Sequence, residues 1–560
     1  MVGIGDPKRW FWLALFLLLT AETQAGPLTS AVATAHPLAT RAGIEIMRRG
    51  GNAFDAAVAV SAALAVVEPS GSGLGGGGFW LLHRASDGKQ VMIDGRERAP
   101  LAAHRDMFLD EQGSFGQKRS IDGPLSAGIP GMPAAIIHLA EKYGRLSLKI
   151  NLGPALRLAR EGFVVGKSYL KLIGFRYPVM VAYPAAAKIF LANGKIPGPD
   201  FLLVQKDLAH TLEQISERGR DGFYTGPVAR AMVQGIRAHG GLWSLSDLEQ
   251  YRVVERQPIH ANYRGIRVTS ASPPSSGGVV LSEALNILSG FDMTRFDAIG
   301  RKHLVIEAMR RAYRDRARYL GDPDFVSMPI DRLTSMPYAA ALGSGIRVDR
   351  SGFMAEIDPG RSEPESEGHD TSHFSIIDGE GNRVAATLSI NYPFGSCFVV
   401  PGTGVLLNDE MDDFVAHPGR GNVYGLTGGE ANMIEPGKRM LSSMTPTFLE
   451  NPERVAILGT PGGSRIISMV LLATLDFEAG KEPDSWVSVP RFHHQYMPDV
   501  VEYEKGGLSD DEIQGLQAKG HEVKELNRQY GNMQAILWDK MTNRVTAASD
   551  PRREGLSLVE

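Results

Sequence analysis

A single cysteine, Cys397, stands in the 560-residue sequence, so no internal disulfide is available and the fold must rest on its core. Cys397 lies in the apolar stretch GSCFVV, which suits a buried structural thiol better than a reactive one. Sustained runs of Lys or Arg are also missing and the formal net charge is −4, which makes nucleic acid a poor partner. Metal motifs are scarce. There is no H-E-x-x-H and no cysteine pair, and His493-His494 in RFHHQ would point to opposite faces of an extended segment. Hydrogen-bonded or solvent-linked histidines fit that motif better than metal ligands. The glycine-rich SGSGLGGGGFWLLH lacks the Gly-Lys-Ser/Thr of a phosphate loop and runs into strand-like Phe79-Trp80-Leu81-Leu82. Its glycines instead permit close backbone packing beside a site. Internal repeats and low-complexity domains are absent.

Long apolar runs are absent too, apart from one at the N-terminus. Lys8-Arg9 precedes Trp10 to Leu19, and Thr23-Gln24-Ala25 offers small residues where a signal peptidase reads. The run is shorter than the ~20 residues of a spanning helix. A cleaved secretory signal over residues 1–25 is therefore favoured over an uncleaved anchor, with a soluble product exported to a periplasm or the medium.

What is present is ordinary globular material, 43% hydrophobic and 22% charged. Arg41–Arg49 and Ala53–Val67 read as helices, the second apolar nearly all round and so a core helix. Trp80–Leu82 and Val91–Asp94 read as paired strands. Residues 134–321 alternate amphipathic helices with loops, the clearest over His303–Leu320. After Thr371 strands dominate, at 373–378, 383–390, 403–407, 445–449, 454–459 and 534–539, with a helix over Ser464–Leu475. Outer helices over two strand-rich layers fit an α/β sandwich better than an alternating parallel sheet.

The chemistry centres on a junction. The charged, Pro/Glu/Ser/Gly-rich segment from Asp358 to His369 has little to bury, yet at Asp370-Thr371 it meets a well-patterned hairpin. A linker abutting a hairpin explains this. So does a cut that makes Thr371 a new N-terminus. A hydroxyl is a weak nucleophile, and an N-terminal threonine brings its own base, an α-amine with a pKa of about 7.7–8.0. Two further patterns bear on this. Gly462-Gly463, entering the later helix, offers backbone N–H groups to an oxyanion, or else a plain glycine turn. Asn391, Glu410, Asp412 and Asp413, with Arg96 and Ser442-Ser443, form a set able to hold a zwitterion, carboxylates on the ammonium and Arg with hydroxyls on the carboxylate. Taken singly, each suits a surface or capping residue as well.

Together DTSHFSIID, NDEMDDF, RMLSSMTPT, GTPGGSR, PRFHHQ and ASDPR, with GLGGGGFWL, DGRERAP and PPSSGG upstream, resemble the gamma-glutamyltranspeptidases (glutathione hydrolases), in order from about Ala31 to Asp550. The resemblance implies an α+β, four-layer αββα sandwich of the N-terminal nucleophile hydrolase type, formed jointly by a large subunit (26–370) and a small subunit (371–560) cut from one precursor. It implies cleavage between Asp370 and Thr371, with Thr371 then the nucleophile. Ser389 falls where many members have a second threonine that hydrogen-bonds the nucleophile; the hydroxyl is kept and the methyl lost, so its rotamer is less fixed. Asn391, Glu410 and Asp413 match the α-amino ligands, Arg96, Ser442 and Ser443 the carboxylate ligands, and Gly462 and Gly463 the oxyanion hole. Residues 418–429 resemble a lid with Tyr424 at its shielding position. The expected partners are glutathione and other γ-glutamyl compounds with amino-acid or dipeptide acceptors, without cofactor, metal, nucleic acid or stable membrane insertion.

Overall fold

A computed structural model describes residues 26–352, 371–415 and 421–560. The leader expected over residues 1–25, the linker with Asp370, and the first residues of the lid lie outside these segments.

Two antiparallel sheets form the centre. The first has seven strands, in spatial order Leu556–Val559, Ala31–Thr34, Ser372–Ile377, Arg383–Ser389, Gly77–Arg84, Lys89–Gly95 and Val254–Arg256. The second has six: Arg544–Ser549, Gln534–Asp539, Arg454–Gly459, Thr447–Glu450, Ile266–Ser270 and Ile259–Tyr263. Successive side chains on a strand point to opposite faces, and here both faces of each sheet are buried. Along Ser372–Ile377, Phe374 and Ile376 join the core shared with helices Ala53–Val67 and Met132–Lys142, whereas Ile377 packs between the sheets with Leu81, Phe448, Ile457 and Trp538. Helices Gly277–Ser289 and Ile466–Glu478 cover the second sheet through a third core that includes Leu281, Leu458, Val470 and Leu537. Helix, sheet, sheet, helix is the αββα sandwich.

Local sequence explains the elements nearest the site. Ala53–Val67 starts at a capping box, where the Asn52 side chain accepts from Asp55 N–H and Asp55 accepts from Asn52 N–H; all its residues are buried. The glycine run works through close approach. A Cβ on Gly75 would lie 2.0 Å from the Leu406 carbonyl oxygen, and one on Gly76 2.2 Å from that of Ser389. No other residue fits while the strands beside Ser389 keep this spacing.

Several element boundaries differ from the sequence reading: the helix read over His303–Leu320 runs from Ala298 to Tyr319, and the strand read at 445–449 is Thr447–Glu450. The first helix begins at Pro37, because His36 caps it by accepting from Leu38 N–H. Residues 403–407 form no strand. Leu406 and Leu407 make only isolated bridges to Val399 and Gly75 across a turn that has Gly402 and Gly404 at positive φ. The later helix spans Ile466–Glu478, and the glycines enter it through a 3-10 turn, Gly463–Arg465.

Candidate active site

Thr371 immediately precedes Ser372–Ile377, an interior strand of the first sheet. Ser372 pairs with Leu388, so the same register sets Thr371 opposite Ser389 at the end of the neighbouring strand. A cavity with about 300 Å³ of empty space is lined there by Thr371, Ser389, Asn391, Glu410, Asp413 and Arg96 on one side. Ser442, Ser443, Gly463 and Tyr424 complete it. Gly462 directly precedes Gly463. Eleven of the site positions read from the sequence therefore meet at one place, although they span 368 positions of chain, from 96 to 463; Asp412 instead faces Ser120 and Val423, and Asp370 lies outside the described residues.

Arg96 follows the strand Lys89–Gly95 and is 1% exposed. Its guanidinium donates to Glu410 Oε2 at 2.5 Å, to Asp413 Oδ2 at 2.6 Å and to the Met440 carbonyl at 3.2 Å. Burial works against its charge, but Glu410, Glu97 and Asp413 outweigh burial and raise its pKa. Glu410 pays the converse: burial pushes its carboxyl up to about 7 although Arg96 opposes the shift. Glu97, fully buried behind Arg96, is held well above the carboxylate range by burial and then by Glu410. Arg96 thus spans the acidic turn Glu410–Asp413 instead of standing apart from it, and a buried ion pair joins the two sets of residues that the sequence reading had assigned to opposite ends of a zwitterion.

Ser389 Oγ accepts from Asn391 N–H at 2.8 Å and is hydrogen-bonded to Glu410. The Asn391 amide donates to the Asp409 carbonyl at 3.1 Å, which commits Nδ2 and leaves Oδ1 as the acceptor. On the other wall, Ser442 Oγ accepts from Met444 N–H at 3.0 Å and Ser443 Oγ accepts from Arg316 Nη2 at 3.3 Å. Each hydroxyl oxygen accepts a hydrogen bond from the protein, so its own hydrogen is available to an anion in the cavity.

Gly462 and Gly463 have φ of +149° and +58°. A Cβ on Gly463 would lie 2.7 Å from Cδ1 of Tyr424, so the ring rests directly on that glycine. The Tyr424 hydroxyl donates to the Asn391 carbonyl at 2.8 Å. The segment read as a lid is pinned to the acidic turn: Asp412 Oδ2 accepts from Val423 N–H, and Asp413 Oδ1 accepts from Asn422 Nδ2. Burial pushes Asp412, which also accepts from the Ser120 hydroxyl at 2.6 Å, up to about 7.

Several contributors escaped the sequence reading. Gln495 donates to the Tyr424 carbonyl at 3.1 Å and its Oε1 accepts from Nε2–H of His493, whose other nitrogen bonds Ser468 on the helix after the glycines. RFHHQ is thus a brace between lid and helix, with His493 and His494 both buried and hydrogen-bonded. Arg316 was missed as well. Its helix, Ala298–Tyr319, carries six arginines, and periodicity alone does not say which one turns toward the cavity. Cys397 is fully buried, and burial pushes its thiol up to about 12.

Among the described residues one group could offer ligand atoms to a metal: His303, Glu307 and His521, within 4.8 Å of one another. Glu307 is already committed to Arg310, Arg311 and the Gly352 N–H. Two guanidiniums at the carboxylate repel a dication, so the cluster works as a buried hydrogen-bond network. No helix among the described residues is long and apolar enough to cross a membrane.

Residues 39–559 match the Gamma-glutamyltranspeptidase family. Among curated proteins, the chain is 42% identical to a glutathione hydrolase proenzyme of Pseudomonas sp. (strain A14), covering 97% of each, and 42% identical to one of Escherichia coli, covering 93% of this chain and 90% of the relative. Among solved structures, a cephalosporin acylase from Bacillus halodurans superposes with a TM-score of 0.84 at 29% identity, covering 95% of this chain and 96% of that one. Helicobacter pylori gamma-glutamyltranspeptidase does so with a TM-score of 0.55 at 40% identity, covering 56% and 90%. Fold, cavity and sequence agree, and the chain belongs to the gamma-glutamyltranspeptidase family.

Proposed function

We propose that the chain cuts itself between Asp370 and Thr371, and that the resulting heterodimer of residues 26–370 and 371–560 is a gamma-glutamyltransferase and glutathione hydrolase. The observation that carries the reading is the single cavity in which Thr371 faces a buried Arg–carboxylate ladder, two anion-ready hydroxyls and a glycine turn.

A γ-glutamyl group enters as a zwitterion and leaves the net charge of the ladder unchanged. Its ammonium goes to Asn391 Oδ1, Glu410 and Asp413, and its α-carboxylate to Arg96, Ser442 and Ser443. The α-amine freed by cleavage takes the proton of Thr371 Oγ, which attacks the γ-amide carbon. N–H groups of Gly462 and Gly463 receive the oxyanion. Ser389, within reach of the nucleophile by register, orients it. The amine returns the proton to the leaving group, cysteinylglycine when glutathione is the donor, and the acyl-enzyme is released by water or by an amino-acid or dipeptide acceptor. Tyr424, seated on Gly463, restricts bulk water at that stage. The cycle draws on no cofactor. Residues 1–25 direct export to a periplasm or the medium.

An acylase with a different acyl substrate is the competing reading, since relatives of this chain include the Acylase ACY 1 proenzyme of Pseudomonas sp. (strain SE83), 35% identical over 91% of this chain. Arg96, Ser442, Ser443 and Tyr424 favour γ-glutamyl: a glutaryl or bulky acyl group lacks the ammonium that Glu410 and Asp413 would meet. The test is intact mass under denaturing conditions for the wild type beside Thr371→Ala, followed by turnover of γ-glutamyl and glutaryl anilides. Two fragments divided at 370/371 in the wild type, an uncut variant, and preference for the γ-glutamyl anilide are expected. An uncut wild type, or a glutaryl preference, refutes the proposal.

A further inference from the structure

Arg316 is a buried cation without an obvious counter-charge. It is 5% exposed, and among the described residues no carboxylate lies within ion-pair distance of it. Its guanidinium is hydrogen-bonded to two hydroxyls: Nε donates to Ser276 Oγ at 3.0 Å and Nη2 to Ser443 Oγ at 3.3 Å. Its direct partners are neutral, and burial outweighs the pull of Asp413 on its charge; such an interior charge is costly, and the cost falls when an anion arrives nearby. Ser443 lines the cavity and Arg316 stands directly behind it.

The second partner belongs to a motif that otherwise has no role. Ser276 sits in PPSSGG, between the strand Ile266–Ser270 and the helix Gly277–Ser289. This loop runs alongside Ser442-Ser443. Ser442 N–H donates to the Pro274 carbonyl at 2.8 Å, and Ser276 N–H and Oγ both donate to the Ser442 carbonyl, at 2.9 and 2.7 Å. Ser275 Oγ donates to the Met444 carbonyl at 2.6 Å. The loop therefore fixes the backbone of the two serines, and Arg316 fixes a hydroxyl. Because Ser443 Oγ accepts from Arg316, its proton must point elsewhere, and the cavity is where an acceptor would be.

We propose that Arg316, braced by Ser276, is a positioning residue that makes the site demand an α-carboxylate: it sets the Ser443 proton toward that group and supplies a second positive charge behind it. The inference rests on the γ-glutamyl reading above and deepens it by naming which part of the donor the enzyme requires.

The experiment compares two anilides, γ-glutamyl-p-nitroanilide and 4-aminobutyryl-p-nitroanilide, which lacks only the α-carboxylate. For Arg316→Gln the KM of the first should rise about 10-fold with kcat within about twofold, while kcat/KM for the second stays within about twofold. Arg316→Lys, which keeps the charge but not the planar fork, should fall between. Adding Arg316→Gln to Ser443→Ala should cost little beyond Ser443→Ala alone, since both remove one arrangement. Equal losses on both anilides, or multiplicative losses in the double variant, would mean that Arg316 merely supports the fold and would overturn the inference. If the Gln variant does not fold, the Lys variant and Ser276→Ala decide by the same donor comparison. Wild-type turnover of the γ-glutamyl anilide is read first. Its absence sinks the functional reading and this inference together, whereas its presence without donor selectivity in the variants sinks only the role of Arg316.

Discussion

Gly463→Ala tests the oxyanion turn through its contact with the lid. The new Cβ would meet Tyr424 Cδ1, Cε1 and Cγ at 2.7, 2.8 and 3.1 Å, closer than a methyl group tolerates. The backbone adds its own resistance, because φ is +58° and a non-glycine residue there costs roughly 1–2 kcal/mol. Tyr424 has little freedom to retreat. Its hydroxyl is tied to the Asn391 carbonyl, its N–H donates to Asn422 Oδ1 at 3.0 Å, and its carbonyl accepts from Gln495. Either the ring swings away, losing its bond to the segment proposed to hold the substrate ammonium, or the Gly463 N–H shifts off the oxyanion it is proposed to receive. Loss of one such donor typically lowers kcat by about 100- to 1000-fold, so about 100-fold is expected for the single variant. Tyr424→Ala removes the obstacle. In the double variant only the backbone strain persists, and kcat should exceed the product of the two single effects by at least about 10-fold, a coupling of about 1.4 kcal/mol. The measurement is kcat on γ-glutamyl-p-nitroanilide for all four proteins, with intact mass confirming that each is cleaved. Single effects that multiply to within about twofold would refute the packing argument.

Glu410 should give the donor KM a pH dependence. Only the ionised carboxylate holds an ammonium, and burial raises this group to about 7, so affinity is lost as pH falls through that value. KM should rise up to about 10-fold per pH unit below 7, and Glu410→Gln should flatten that limb; an unchanged limb in the variant would assign it elsewhere. Asp412→Asn should stabilise the fold at pH 8 relative to wild type and not at pH 4. The wild-type carboxyl is raised from 3.8 to about 7, so the folded protein keeps a proton that the unfolded chain releases, and stability drains away as pH climbs between those values. At ~1.4 kcal/mol per unit the ceiling is roughly 4 kcal/mol, readable as a Tm difference that opens with rising pH. Asn keeps both contacts, accepting from Val423 N–H through its amide oxygen and donating to Ser120 Oγ, whose hydrogen then turns to the Gln117 carbonyl 2.8 Å away. A Tm gap that ignores pH would refute the account.

Much of the architecture was legible because strand alternation and helix periodicity record burial. The hairpin after Thr371 and the all-apolar helix Ala53–Val67 were read from pattern and lie where expected. Residues 403–407 misled because Val405-Leu406-Leu407 is apolar, yet it is buried as a turn and not a strand. The site was legible as a collection of motifs, and no pattern could show that Arg96 would bridge Glu410 and Asp413. That depends on a loop 314 positions distant folding back over the first sheet. Arg316 and Gln495 stayed hidden for the same reason, since both act through contacts far away in sequence.

The order of strands in the two sheets has a further consequence for a chain divided before Thr371. The first sheet alternates origins: Leu556–Val559 lies beside Ala31–Thr34, which lies beside Ser372–Ile377, and Arg383–Ser389 lies beside Gly77–Arg84. In the second, Thr447–Glu450 pairs with Ile266–Ser270. Neither piece owns either central sheet whole, so each would expose open strand edges alone. The two pieces are woven, like a cloth cut at one thread. They cannot be drawn apart without unravelling both, and after denaturation they would have to find each other in a bimolecular encounter that the uncut chain never faced. One severed peptide bond would thus turn a fold that forms within one molecule into a partnership that depends on its history.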